Sequence, residues 1–344
     1  MMRIIILLLF ITILSADDFF APDEVMDARI REGIEHIHYT RYNLALSNFL
    51  LIQTEYPEHP AGYFFYGAAL EWIMADYRNF DYQDEYLSLM QKSIKFSEPA
   101  AKNADSSVWP HFFLGAAYGF QGIYLLKYGN WLKAFIGAQR GYRCFTRVTE
   151  INSDFYDVYY GFGLYYYWKS DKAKILFWLP HEDNKKLGIE YLELAAEKGR
   201  YVGNEAKDSL IRIHFNERDY DLVIGMAKDR MNEFPDYIFY YWYLCRACIE
   251  KKYWSDALNA AGEIERLLES SPYTGRLALV EKDYYLALIN YHLENFTQSD
   301  EYCSRIIGIP GRESAQIPFY DEYRDKTKEI RRRLNKLPIG GNHE

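Results

Sequence analysis

The stretch Asp27–Pro57, DARIREGIEHIHYTRYNLALSNFLLIQTEYP, decides the fold. Apolar residues recur at steps of three and four through two runs separated by the polar YTRY, the pattern of two amphipathic helices joined by a short turn. Gly33 is followed by Ala45 twelve positions on, by Phe49 four later and by Pro57 eight later. A small residue on one helix lets the other approach, large residues flank it, and proline stops the second helix before the next begins.

The same spacing returns along the chain. Gly67 lies 34 residues after Gly33, with Tyr63 and Tyr66 in the large slots before it. Leu210, His214, Tyr220, Val223, Ala227 and Pro235 repeat the pattern, as do Leu244, Cys248, Trp254, Ala257 and Ala261, and then Leu286, Ala287, Phe296, Ser299 and Cys303. On these residues the chain resembles the tetratricopeptide-repeat family across about residues 24–311. The resemblance implies an all-α, right-handed superhelical solenoid of about seven helical hairpins. The first helices of such an array line a concave surface that binds protein or peptide partners.

The departure from the family is regular. The first-helix slot runs Gly33, Gly67, Gly115, Gly163, Ile211, Cys245 and Ala287, in steps of 34, 48, 48, 48, 34 and 42. The second-helix slots Ser93, Gly141 and Gly188 fall 26, 26 and 25 residues after their partners, whereas Ala45, Val223, Ala257 and Ser299 fall 12 after theirs. Hairpins two to four, about residues 60–203, are therefore enlarged around the inner turn. Shared between two helices, the extra residues would add on the order of 10 Å of height. That edge is aromatic: Trp72, Tyr77, Phe80 and Tyr82, then Tyr124, Tyr128, Trp131 and Phe135, then Tyr165–Trp168, Phe177 and Trp178. Gly161, Gly163, Ser170, Leu179, Asn184 and Gly188 are also similar to the middle of the eukaryotic tetratricopeptide-repeat 39 family.

The ends read differently. Arg3 followed by the apolar run Ile4–Leu14 and then Ser15-Ala16 has the form of a secretory signal peptide over residues 1–16, with cleavage expected after Ala16 and a periplasmic or secreted mature chain. Residues 312–344 read as a charged capping helix, from about Phe319 to Leu337, and a frayed tail. Lys326, Lys328, Arg331, Arg332, Arg333 and Lys336 suit the last turns of that helix. Four cysteines in an exported chain permit disulfides, but Cys245 and Cys248 sit at helical spacing and read as small core residues.

A net charge of −9 argues against a nucleic-acid partner, and no later stretch approaches the length of a membrane span. No catalytic, phosphate-binding or cofactor motif is present; Gly161 and Gly163 fall at a packing slot, and His36 and His38 point to different faces of one helix. His181, Glu182 and Asp183 share a loop and read as solvated. Binding is thus the expected role. Residues turned away from the packed slots of the first helices form a candidate groove: Phe64, Trp72, Phe112, Phe120, Tyr160, Tyr167, Arg212, Trp242, Arg246 and Tyr284. Tyr, Trp and Arg carry most binding energy at interfaces. A glycan or cell wall stacked on exposed Trp and Tyr, or docking of the aromatic edge on a membrane surface, are the alternatives; aromatics at this spacing also serve simply as core.

Overall fold

The structure, a computed structural model, describes residues 20–104, 106–127, 130–172 and 182–337. The signal-peptide reading, Tyr128, Phe177, Trp178 and His181 lie outside them. The described residues form sixteen helices and no strand. Fourteen pair into seven hairpins: α1 (Glu24–His38) with α2 (Tyr42–Glu55), α3 (Pro60–Asp76) with α4 (Gln83–Asn103), α5 (Trp109–Lys127) with α6 (Trp131–Ile151), and α7 (Asp157–Lys172) with α8 (Lys185–Lys198). The series continues with α9 (Gly203–Asn216) and α10 (Tyr220–Glu233), α11 (Ile238–Glu250) and α12 (Trp254–Ser270), and α13 (Arg276–His292) and α14 (Phe296–Ile307). This is the expected tetratricopeptide-like solenoid.

The slots do what their sizes require. A Cβ on Gly33 would overlap the Phe49 ring, one on Gly163 would lie 2.8 Å from the Gly188 carbonyl, and one on Gly188 would lie 2.7 Å from the Tyr167 nitrogen. At Gly163 and Gly188 the backbones of the paired helices touch, and at Gly33 a ring fills the space of the missing side chain. Gly161 likewise faces the Phe145 ring, so the G-x-G pair is packing.

Hairpins one, five, six and seven share one turn. Three residues join their helices, and the middle one is left-handed: Thr40 (φ 57°), Arg218 (67°), Lys252 (61°) and Glu294 (62°). Each turn closes with the same two bonds, such as Thr40 N–H to the Ile37 carbonyl and Arg41 N–H to the His36 carbonyl, which satisfy the last carbonyls of the first helix. The enlargement of the second and third hairpins lengthens their helices, with 17 and 21 residues in α3 and α4 and 19 and 21 in α5 and α6. In the fourth, 16 residues of α7 and 14 of α8 are described, and residues 173–181 lie outside the described set.

After α14, a short α15 (Gly311–Ser314) leads to the cap α16 (Tyr320–Leu334), which packs on α13 and α14 through the buried Tyr320, Thr327 and Ile330. Its last turn carries Arg331, Arg332 and Arg333, with Arg332 and Arg333 bonded to Glu329 and Arg331 Nε 3.2 Å from Asp300.

The inner face is not the open concave surface that the repeat pattern implies. The superhelix winds tightly enough for early hairpins to bond late ones. Trp72 Nε1–H donates to Glu205 at 2.6 Å, Trp242 Nε1–H to the Asp76 carbonyl at 3.0 Å, and Arg78 pairs with Glu281 at 2.9 Å. Gly275 N–H donates to the Tyr77 carbonyl at 2.9 Å, and Arg200 reaches Asp27 at 2.7 Å. Aromatic rings fill the space between: Phe64 meets Phe120 edge-on at 5.1 Å, and Phe65 meets Tyr201 at 5.7 Å. Such pairs add about 1 kcal/mol each beyond their buried area.

His59 starts α3 in the same economical way. Its Nδ1 accepts from Ala61 N–H at 3.1 Å as the helix cap and its Nε2–H donates to the Phe20 carbonyl, so the ring is neutral; burial depresses its pKa to about 4. The unfolded chain binds this proton from about pH 6.5 downwards and the folded chain does not, so the contribution is full above pH 6.5 and is lost as pH falls toward 4. Over that interval His59 accounts for a loss of about 3 kcal/mol. His59→Asn keeps a capping side chain, and urea midpoints measured against pH should be flatter for it than for the parent; parallel curves would refute this.

Candidate functional site

The winding divides the inner face into two cavities. The first, of about 460 Å³, lies among α3, α5, α6 and α7. Phe64, Trp72, Phe112, Phe120 and Tyr160 line it, together with Leu164 and Trp168. Its walls are almost wholly apolar. At one end stands Glu205, which accepts from Trp72 and, at 3.2 Å, from the Tyr160 hydroxyl; burial raises its carboxyl to about 7, Arg212 opposing. Lys169 and Lys172, in the last turn of α7, also border the cavity. Gly119 opens it: a Cβ there would meet nothing within 4 Å, unlike the slot glycine Gly115 one turn earlier. Beside Leu126, which lines this cavity, Leu132 and Ile136 are about half exposed.

The second cavity, of about 630 Å³, lies between the end of α3 and α9, α11, α13 and α16. Arg212, Trp242, Arg246 and Tyr284 line it, with Asp76, Arg78 and Glu281. Arg78 lies over the Trp242 ring at 4.7 Å and Arg246 over Phe215 at 4.3 Å. Burial works to raise Glu281, but Arg78 and Arg246 outweigh it and hold the carboxyl below its usual range. Burial carries Asp76 up to about 6 against the pull of Arg212 and Arg78.

Nine of the ten candidate groove residues thus border the two cavities, but as walls of separate, half-open pockets rather than of one continuous groove. Phe64, Trp72, Phe112, Tyr160 and Trp242 are buried, and only Phe120, Arg212, Arg246 and Tyr284 are partly exposed. Tyr167 lies elsewhere: its ring is fully buried in the cluster holding Leu192 and Ala195, and its hydroxyl donates to Glu217 at 2.5 Å. The aromatic edge is mixed, with Trp72, Tyr77 and Tyr124 buried and Phe80, Tyr82, Phe135, Tyr165, Tyr166 and Trp168 partly so.

Sequence reasoning missed Gly119 and the acidic residues. Gly119 is a glycine off the packing slots, and Glu71 and Asp76 interrupt the apolar helix PAGYFFYGAALEWIMAD; both were signals of an inner face with a purpose beyond packing. It also treated His38 through its neighbour His36 alone. Residues 182–184 carry ordinary roles: the Glu182 carbonyl accepts from Ser170, and Asp183 caps the Lys185 nitrogen. The four cysteines are free; burial raises Cys144, Cys248 and Cys303 to about 11 and Cys245 further, which leaves them as unreactive thiols.

No protein-family model matches this chain, and no curated protein does. Solved structures do resemble it. The type IV pilus biogenesis factor PilW is 12% identical, with a TM-score of 0.48 over 73% of this chain and 94% of PilW. A thermophilic tetratricopeptide-repeat protein of Thermus thermophilus is 13% identical (TM-score 0.41, 65% of this chain and 99% of the other). One from Parabacteroides merdae is 10% identical (TM-score 0.41, 89% and 100%). The seven hairpins themselves establish the solenoid, and no helix among the described residues is long and apolar enough to cross a membrane.

Proposed function

We propose that the chain is an exported, non-enzymatic scaffold that takes an apolar segment of a protein partner into the first cavity. Tetratricopeptide-like solenoids generally serve as protein-interaction scaffolds, and the leader pattern of residues 1–16 supports export. The observation that carries the reading is the cavity itself: about 460 Å³ of apolar space faced by rings already fixed in place, within the size range of ligand pockets. Preorganised walls lose little entropy when a side chain enters. A glycan fits these walls poorly, since each buried hydroxyl needs a partner and the lining offers few.

Gly119→Phe tests it. The ring would project into the cavity from a helix that gains in propensity by about 0.5 kcal/mol or more when glycine is replaced. Anilinonaphthalene sulfonate should bind the parent and be displaced by apolar peptides; in Gly119→Phe its affinity should fall about tenfold or more, with Tm unchanged or raised. Undiminished binding would remove the cavity from consideration.

Docking on a membrane surface is favoured by one specific observation, the exposed Leu126, Leu132 and Ile136 at the tip of hairpin three. Serine at Leu132 and Ile136, neither of which lines the cavity, should abolish flotation with liposomes under this second reading and leave probe binding intact.

A further inference from the structure

We infer that His38, Glu205 and Asp208 form a site for a divalent metal ion of the zinc class, clasping hairpin one to hairpin five. His38 lies at the end of α1, Glu205 and Asp208 one turn apart on α9, and one donor atom from each lies within 4.8 Å of the others. All three side chains are buried, His38 at 1% and Asp208 at 0% exposure.

Two atoms argue for an ion between them. His38 Nδ1 is 3.0 Å from the Ile34 carbonyl, a bond that puts a proton on Nδ1 and turns Nε2 toward Asp208. That Nε2 and Asp208 Oδ2 are 3.7 Å apart, and neither has a hydrogen-bond partner among the described residues. An imidazole nitrogen facing a carboxylate oxygen in a buried site needs positive charge at or between them, which a metal ion supplies. The spacing is too long for a hydrogen bond. It suits a shared cation: zinc sits about 2.0–2.2 Å from nitrogen and oxygen donors, which places two donors of one tetrahedral ion about 3.4 Å apart. Closing the widest pair from 4.8 Å to that spacing requires Glu205 and the other two ligands to approach by at most about 1.4 Å.

The surroundings are those of a metal site. The Ile34 carbonyl orients the imidazole, the Tyr240 hydroxyl donates to Asp208 Oδ1 at 2.9 Å, and Trp72 and Tyr160 donate to Glu205. The charge balance also asks for a cation. Asp76, Glu205 and Asp208 are buried, Arg212 and Arg230 lie 3.5 and 3.9 Å from Glu205 and Asp208, and Arg230 is shared with Glu233. Arg78 is paired with Glu281. An imidazole with two carboxylates suits zinc or cobalt better than calcium or magnesium.

The full chain, stripped with chelator and dialysed, should bind one equivalent of Zn2+ by mass spectrometry of the metal. Co2+ should give the intense visible absorption of a four-coordinate site, and Tm should rise on metal addition. Loss of a group that only orients a ligand weakens metal sites by about 10–100-fold, so removing a ligand itself, in His38→Ala or Asp208→Asn, should weaken binding by about 100-fold or more, while His36→Ala retains it. Absence of stoichiometric Zn2+ in the parent, or binding that survives His38→Ala, overturns the proposal. Should His38→Ala fail to fold, the parent's Co2+ spectrum and Asp208→Asn decide, a featureless spectrum or unchanged affinity counting against it.

Discussion

Gly275→Val should destabilise the chain by about 4 kcal/mol. Gly275 has extended backbone (φ −85°, ψ 157°) that any residue adopts, so the demand for glycine is purely steric. Its missing Cβ would overlap the Arg78 carbonyl and lie 2.7 Å from Asn79 Cα, and backbone cannot rotate aside. The loop before α13 would separate from the turn after α3, losing the Gly275–Tyr77 bond and the one from Asn79 Nδ2 to the Tyr273 carbonyl at 3.0 Å. Overpacking costs about 1–3 kcal/mol and each lost bond about 1. Urea unfolding measures it, with Gly262→Ala as control, because a Cβ on Gly262 meets nothing within 4 Å. A loss below about 1 kcal/mol would show that the closure contributes little.

Trp242→Ala should cost about 3–5 kcal/mol. Trp242 is a candidate groove residue, and on that reading alone its removal would weaken capture and spare stability. The structure reverses the expectation: the side chain is 1% exposed, donates to the Asp76 carbonyl and carries the Arg78 guanidinium on its face. Its loss leaves a cavity, removes one of the donors to the Asp76 carbonyl and leaves a cation without its ring. Urea unfolding compared with Tyr284→Ala, on a partly exposed wall of the same cavity, separates the cases; equal small losses would refute a structural role.

The hairpins were legible because their determinants are local. Gly33 and Phe49, or Gly163 and Gly188, meet through a spacing of a few helical turns, and spacing is written in the sequence. The shared turns at Thr40, Arg218, Lys252 and Glu294 were visible only as unit length, since none of the four is the glycine that usually marks a left-handed residue. The site was half legible. Helical phase selected the faces of Phe64, Trp242 and Arg246 that turn inward, but phase says nothing of what lies across the superhelix. Trp72 meets Glu205 across 133 positions and Arg78 meets Glu281 across 203, and no periodicity encodes such pairs. Tyr167 failed for the same reason: its ring turns into the cluster with Leu192 and Ala195 and its hydroxyl meets Glu217 across 50 positions, a partner that helical phase does not encode.

The bonds across the superhelix also change what kind of object this repeat array is. In an open solenoid each unit touches only its neighbours, so stability is a sum along a line and units can be added or removed. Here Asp27, Trp72, Tyr77 and Arg78 take their partners from residues 200–281, which emerge at least 133 residues later as the chain is made. The array has become a loop that must close before its first members are complete. It should therefore unfold as one cooperative body, in which inner cavities with fixed walls are gained in exchange for the modularity that repeats ordinarily confer.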